Sequence, residues 1–291
     1  MLGVIGGSGV YQLEGLRHAR HERVRSPFGE PSDDILLGEL ESGPVAFLPR
    51  HGRGHRILPS EINYRANVDV LKRVGVADLL SLSAVGSLRE DLLPGTFTIV
   101  DQFIDRTVRR QGTFFERGVV AHVSLATPVC PRLGDVLEQA CGTLGLAYRR
   151  GGTSLVIEGP QFSTRAESEL YRQWGCDVIG MTSLPEARLA REAELCYASI
   201  GMVTDYDCWH PEHGHVTVAE VMAVMQANAS RARALVERVA PVLAVHPSPC
   251  PAGCDRALDA AIVTPPGSRD AAVVARLDAV AGRVLHRTAE A

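Results

Sequence analysis

The chain has 291 residues, 45% of them hydrophobic and 22% charged, with a formal net charge of −4. That size and balance suit one large α/β domain or two small ones and exclude a disordered or fibrous chain. The mild acidity excludes a general attraction to nucleic acid or anionic lipid, so any bound anion must be held by a local site.

No stretch approaches the roughly 18 uncharged apolar residues of a membrane span. The opening Met1-Leu2-Gly3-Val4-Ile5-Gly6-Gly7 lacks the basic start of a signal peptide and reads as a first strand. These features predict a cytoplasmic protein with no nucleic-acid or membrane partner. The seven cysteines are odd in number and mostly lie in apolar runs, which suits free buried thiols in a reducing compartment. Cys250 and Cys254 lie in a Pro-rich segment and read as a solvent-near thiol pair, with a local disulfide as the alternative.

Short apolar runs alternate with longer amphipathic stretches, the pattern of a sheet with crossover helices. Strands are predicted at 2–5, 35–40, 45–49, 78–84, 96–103, 153–157, 178–181 and 197–204. Helices are predicted at 59–74, 132–144, 164–174, 185–194 and 218–242. Thr164 with Glu167, and Thr217 with Glu220, have the spacing of helix-capping boxes. The Pro-rich run at 246–253 marks a break. A catalytic body over 1–245 is therefore expected, followed by a Pro/Ala-rich extension over 246–291 that is partly helical, with one helix at 270–285.

Several strand ends carry residues suited to chemistry. Gly6-Gly7-Ser8-Gly9 is either an anion-binding turn or a plain tight turn, because its spacing is not that of a dinucleotide loop. Arg50-His51-Gly52-Arg53-Gly54-His55-Arg56 places five cationic or potentially cationic residues in seven positions after a strand. An arginine fork with glycine-freed backbone donors matches phosphate or carboxylate, and open α/β sheets bind ligands at strand carboxyl ends. Ser83-Ala84-Val85-Gly86-Ser87 has hydroxyls around a glycine and suits either a phosphate or ribose, or an ordinary connection.

Phe162, in Gly159-Pro160-Gln161-Phe162-Ser163, is read first as core and second as a stacking platform for a flat heterocycle. Met181 reads as packing, whereas Thr182 at a strand end is placed to bind an anion. Asp205-Tyr206-Asp207 puts two carboxylates two residues apart, for an acid/base pair, metal ligands or solvated turn residues. His210, His213 and His215 follow, but no metal motif is completed. Nucleophile-elbow, Walker and His-Glu-x-x-His motifs are all missing. The residues alone thus indicate an enzyme acting on or with phosphate.

Taken in order, these segments resemble the purine nucleoside phosphorylase family, in its methylthioadenosine-cleaving branch. The resemblance spans about 2–243. Its blocks are Val4-Ile5-Gly6-Gly7-Ser8-Gly9, Pro27-Phe28-Gly29-Glu30-Pro31-Ser32, Arg50-His51-Gly52-Arg53, Gly86-Ser87-Leu88-Arg89-Glu90, Asp101 to Thr107, Glu158-Gly159-Pro160, Arg165-Ala166-Glu167-Ser168 and Thr204 to Trp209.

The resemblance implies a single α/β domain with a mixed, partly barrel-like central sheet. It also implies a homotrimer with a shared active site, and inorganic phosphate as co-substrate with no cofactor or metal. It implies phosphorolysis of 5′-methylthioadenosine, or a related 5′-substituted adenosine, to adenine and 5-methylthioribose 1-phosphate. Carried over by position, Ser8, Arg50, His51, Ser83, Ala84 and Thr182 would bind phosphate. Met181 would line the ribose, and Phe162 with Ser163 would face the purine. Asp205 and Asp207 would hold the base, with Asp205 catalytic. Val218 would line the 5′ pocket, and His122 would serve the neighbouring subunit's pocket. Asp205 would keep a proton near neutrality through burial and its neighbour's charge, and would pass it to purine N7. Asp at 205, where relatives acting on 6-oxopurines tend to carry Asn, implies adenine.

The loop 109–117 is short against many relatives, and the chain after His246 aligns with none of these blocks. The alternatives are a 6-oxopurine nucleoside or methylthioinosine phosphorylase, a 5′-halo-5′-deoxyadenosine phosphorylase, a hydrolase using water, and a non-catalytic binding protein.

Overall fold

The computed structural model describes residues 1–7, 15–211 and 218–286, with the side chains of Val218 and Glu220 outside the description. In chain order the first half contains β1 (Leu2–Gly6), β2 (Arg17–Glu22), β3 (Ile35–Leu40), β4 (Gly43–Pro49), α1 (Tyr64–Arg73), β5 (Asp78–Ser87), β6 (Phe97–Val100) and β7 (Gln102–Asp105). The second half contains α2 (Pro131–Thr143), β8 (Tyr148–Arg150), β9 (Thr153–Val156), α3 (Arg165–Gln173), β10 (Val178–Gly180), α4 (Ser183–Glu192), β11 (Cys196–Asp205), α5 (Val218–Leu243), α6 (Ala271–Arg276) and α7 (Asp278–Leu285).

The sheet is mixed and centred on β5, which is parallel to both β1 and β11 and antiparallel to β10 near its end. From β5 one path runs through β10 and β9 to β7, and another through β11 to β6. Because β6 and β7 are separated in the chain only by Asp101, the two paths meet and the sheet curls partly into a barrel. Val4 and Ile5 point to opposite faces, as neighbours in a strand must. Ile5 packs with α1 and α4 residues such as Val68, Leu71 and Leu189. Val4 packs with α2 and α5 residues such as Leu137, Leu235 and Val239. Helices on both faces explain why β1 and β11 read as continuous apolar runs.

Several elements differ from the sequence expectation, including β8 (Tyr148–Arg150), which it did not contain, and α1, which begins at Tyr64 and not at 59. β2, Arg-His-Ala-Arg-His-Glu, is an almost wholly exposed edge strand, so it carries no apolar alternation to reveal it. The expected strand over 96–103 divides at Asp101, because β6 pairs with β11 and β8 whereas β7 pairs with β9. The expected helix over 270–285 is broken at Leu277 into α6 and α7. The Thr164–Glu167 capping box forms at the start of α3. The Thr217 cap lies outside the described residues.

The segment after α5 shares the main core: Leu258, Ala261, Val273, Leu277 and Val280 are buried within it. Ion pairs Arg73–Asp278 and Arg283–Glu194 tie α7 to the body. Cys250 and Cys254 are not solvent-near but buried, and all seven cysteines are free thiols.

Candidate active site

The parallel strands β1, β4, β5 and β11 bring their carboxyl ends to a cavity of about 260 Å³. Gly7, Arg50, His51, Ser83 to Gly86, Thr204 and Asp205 line it at those ends, and Val221, Met222, Met225 and Ala229 of α5 cover it. This is where an open α/β sheet leaves room for a ligand. Along β5 the wall from Ser83 to Gly86 spans roughly 10 Å at 3.3 Å per residue. Polar groups gather around both ends of that wall.

Near Ser83 the groups suit an anion. Ser83 Oγ and Thr182 Oγ1 are buried and 3.0 Å apart, a hydroxyl pair with hydrogen-bonding capacity to spare. Arg50 is only 1% exposed. Its Nε donates to Glu186 Oε2 at 2.8 Å, and its Nη2 to Ser81 Oγ at 2.7 Å and Glu186 Oε1 at 3.2 Å. Nη1 donates to Leu82 O at 3.1 Å, which leaves its second hydrogen for a ligand. Burial alone disfavours the Arg50 charge, but the Glu186 carboxylate more than offsets this and holds the guanidinium above its ordinary pKa.

His51 is not a cation. Burial first, and then the nearby Arg50 charge, push its pKa down to about 4, although the Ile57 carbonyl acts the other way. Its Nδ1 lies 2.8 Å from Ile57 O, so that nitrogen carries the hydrogen and Nε2 presents a lone pair. His55 stacks on it with ring centroids 4.1 Å apart. The basic run therefore divides: Arg50, His51 and His55 line the cavity, whereas Arg53 pairs outward with Asp33.

Around Gly86 lie the two carboxylates. A bulge in the pairing of β11 with β5 between Val203 and Asp205 turns Asp205 to face Gly86. A Cβ at Gly86 would stand 2.9 Å from Asp205 Oδ1, so only glycine lets the carboxylate sit there. Asp205 Oδ1 accepts from the Asp207 N–H at 2.8 Å, and Oδ2 accepts from the Thr204 hydroxyl at 2.7 Å.

Asp207 has the left-handed φ of 51°, a conformation that costs energy for a non-glycine residue and clusters at functional sites. It is buried, and burial with the adjacent Asp205 charge pushes its pKa up to about 6. Ser168 Oγ lies close enough to temper this rise without completing a well-formed hydrogen bond. Asp207 is thus a raised carboxyl, next to Asp205, on which the sequence reading placed the proton. The segment is anchored by Trp209, whose indole N–H donates to Ser87 O at 2.7 Å under the Arg172 guanidinium.

The cavity wall also includes Ala84, Phe162 and Met181. Phe162 is 44% exposed at the mouth, which corrects its first reading as a core residue. Ser163 does not line the cavity, and its buried Oγ has no hydrogen-bond partner among the described residues. His122 is exposed and also does not line it. Ser8 lies outside the described residues. Val218 begins α5, but its side chain lies outside them.

The description "phosphorylase superfamily" belongs to the family model that matches residues 1–241. The chain belongs to the phosphorylase superfamily. It is 59% identical to the S-methyl-5′-thioadenosine phosphorylase of Rhodospirillum rubrum, covering 98% of this chain and 97% of the relative. It is 57% identical to the protein of the same name from Bradyrhizobium diazoefficiens, covering 98% of each. Among solved structures it resembles a methylthioadenosine phosphorylase from an antarctic soil metagenomic library, with a TM-score of 0.90 and 47% identity, covering 96% of this chain and 98% of that one. It also resembles the Schistosoma mansoni methylthioadenosine phosphorylase in complex with adenine, with a TM-score of 0.83 and 36% identity, covering 92% of this chain and 98% of the other.

Two supporting residues of this phosphorylase escaped the sequence reading. Glu186 is a helix residue with no motif around it, yet it is the carboxylate that holds Arg50. Arg110 sits in the loop over 109–117. It donates to Met181 O at 2.5 Å, Leu184 O at 2.7 Å and Glu158 O at 2.7 Å, and pairs with the Glu158 carboxylate. It thereby fixes two segments that meet at the cavity. Neither role leaves a local signal, since each depends on partners at least 46 residues away, as with Arg110 and Tyr64.

Proposed function

We propose that the chain cleaves the N-glycosidic bond of 5′-methylthioadenosine with inorganic phosphate, releasing adenine and 5-methylthioribose 1-phosphate. The observation that carries this reading is one cavity combining anion donors at Arg50, Ser83 and Thr182 with the Asp205–Asp207 pair. Four of the five methionines of the chain, Met181, Met202, Met222 and Met225, line that same cavity. Soft, polarisable thioethers suit an apolar 5′ substituent better than a 5′ hydroxyl, which would lose its hydrogen bonds to water there. The names of the relatives point the same way.

In this reading phosphate is held by Ser8, Arg50, His51, Ser83, Ala84 and Thr182. His51 Nε2 accepts the hydrogen of a singly protonated phosphate, and the Arg50 charge faces the remaining oxygens. Phe162 faces the purine, with Ser163 beside it in the same turn, and Met181 faces the ribose, with Val218 beside the 5′ group. Asp205 and Asp207 together face the 6-amino group as acceptors, and Asp205 also supports purine N7.

As the C1′–N9 bond breaks, its electron pair goes to the purine, which takes a proton at N7 through Asp205. The ribose becomes oxocarbenium-like and is captured by a phosphate oxygen. A proton taken up by one carboxyl lowers the repulsion within the pair, so the pair handles one proton together. The reaction needs no cofactor and no metal. The assembly is a homotrimer in which His122 completes the pocket of a neighbour, and the enzyme works in the cytoplasm. The cavity-lining residues all fall within the catalytic body over 1–245, as far as Ala229.

The test is turnover of 5′-methylthioadenosine with and without phosphate, beside adenosine, 5′-chloro-5′-deoxyadenosine, methylthioinosine and inosine. Phosphate-dependent release of adenine, fastest from the methylthio substrate, is the expected result. Release without phosphate, or a faster reaction of the 6-oxopurines, overturns the reading.

A further inference from the structure

Four cysteines from three separate segments of the chain meet in the core. Cys130 caps α2, Cys196 opens β11, and Cys250 and Cys254 flank a turn beyond α5. All four are buried free thiols. Their sulfur atoms all lie within 4.8 Å of one another, and Cys130 Sγ is 3.9 Å from Cys250 Sγ. A tetrahedral zinc with Zn–S bonds of about 2.3 Å has S···S edges of about 3.8 Å. The four sulfurs therefore need to contract by no more than about 1 Å along any edge to enclose such an ion.

We propose that Cys130, Cys196, Cys250 and Cys254 form a tetrathiolate site for a structural zinc ion that clamps the segment beyond α5 to the body of the enzyme. The turn is built for this. Cys250-Pro251-Ala252-Gly253-Cys254 has the short spacing of paired thiolate ligands. Gly253 adopts a left-handed φ of 68° and donates to Cys250 O at 2.8 Å, which closes the turn and brings both thiols to one side. The Asp255 carboxylate accepts from the Cys250 N–H at 3.0 Å and fixes the approach.

Binding a divalent ion releases four thiol protons to solvent and leaves a centre of charge −2. Arg132 stands beside Cys196 and Arg191 near Cys254, and their two positive charges offset it. The neighbouring trio of Asp78, Cys196 and His246 is a weaker cage, because Asp78 is already paired with Arg132 and His246. With four protein ligands no coordination position stays open for substrate, and none of the four cysteines lines the cavity, so the ion is structural and outside the reaction.

The test uses the full chain, prepared from zinc-supplemented culture with a thiol reductant and no chelator. Elemental analysis is expected to find about one zinc per chain. Cobalt(II) added to the chelator-stripped protein is expected to give the thiolate charge-transfer and intense visible bands of a tetrahedral sulfur site. The stripped protein is expected to melt earlier and to recover its Tm with zinc. Cys254→Ser is expected to lose the zinc, whereas Cys208→Ser keeps it. Because a buried Cys→Ser change can prevent folding, the cobalt spectrum of the unsubstituted chain decides. Zinc below about a tenth of an equivalent with no cobalt–thiolate bands overturns the proposal. So does a mass lowered by two hydrogens per disulfide, which would place these sulfurs in disulfides instead.

Discussion

Replacing Asp207 by Asn should stabilise the fold and weaken the enzyme, and the stability gain should depend on pH. Asp207 is 5% exposed, and its carboxyl pKa is raised from 3.8 to about 6, first by burial and then by Asp205. A carboxyl raised in the folded state binds its proton more tightly there than in the unfolded chain. Its contribution to stability is therefore fully present below pH 3.8 and is lost as pH rises through about 6.

At about 1.4 kcal/mol per unit, the whole loss is about 3 kcal/mol, and about 1.4 kcal/mol of it falls between pH 5 and pH 8. Asn carries no such titration. Asn also tolerates the left-handed backbone at φ 51°, so any remaining effect is a constant offset. Urea denaturation of both proteins at equal chain concentration should show the advantage of the variant growing by about 1.4 kcal/mol from pH 5 to pH 8. In the same variant kcat/KM for 5′-methylthioadenosine should fall about 10- to 100-fold, since a charged acceptor facing the 6-amino group is worth about 1–3 kcal/mol. An advantage that is equal at the two pH values would refute the assignment of the raised carboxyl to Asp207.

Glu186→Gln leaves the buried Arg50 without its counter-charge and should cost about 3–5 kcal/mol of stability, read by denaturation, with a raised KM for phosphate. Gly86→Ala puts a methyl 2.9 Å from Asp205 Oδ1 and should lower kcat at least about tenfold while leaving the KM for phosphate near its original value; unchanged turnover would show that Asp205 need not hold this position. Asp205→Asn should lose most of kcat toward adenine nucleosides and shift the kcat/KM ratio toward inosine-type substrates, and a ratio unmoved in a substrate panel would remove Asp205 from base selection.

Much of the architecture is legible in the linear chain, because its signals are local. The apolar runs of β1, β5 and β11 announce strands covered on both faces, and the Thr164–Glu167 box announces the start of α3. The residues at strand ends, Arg50, His51, Ser83, Thr182, Asp205 and Asp207, were legible as chemistry-bearing types in glycine-rich or hydroxyl-rich turns, and all of them line the cavity.

What only the tertiary structure decided is the state of those groups, because each state is set by neighbours remote in sequence. Glu186, 136 residues from Arg50, determines which guanidinium hydrogens remain for a ligand. Burial beneath the fold turns His51 from an apparent cation into a neutral acceptor and lifts Asp207 rather than leaving it an ordinary carboxylate. The exposed edge strand β2 and the partner exchange at Asp101 were invisible for the same reason: pairing partners, not local composition, create them. Four thiols that look unrelated along the chain stand within 4.8 Å of one another because α2, β11 and the turn beyond α5 converge on one side of the sheet.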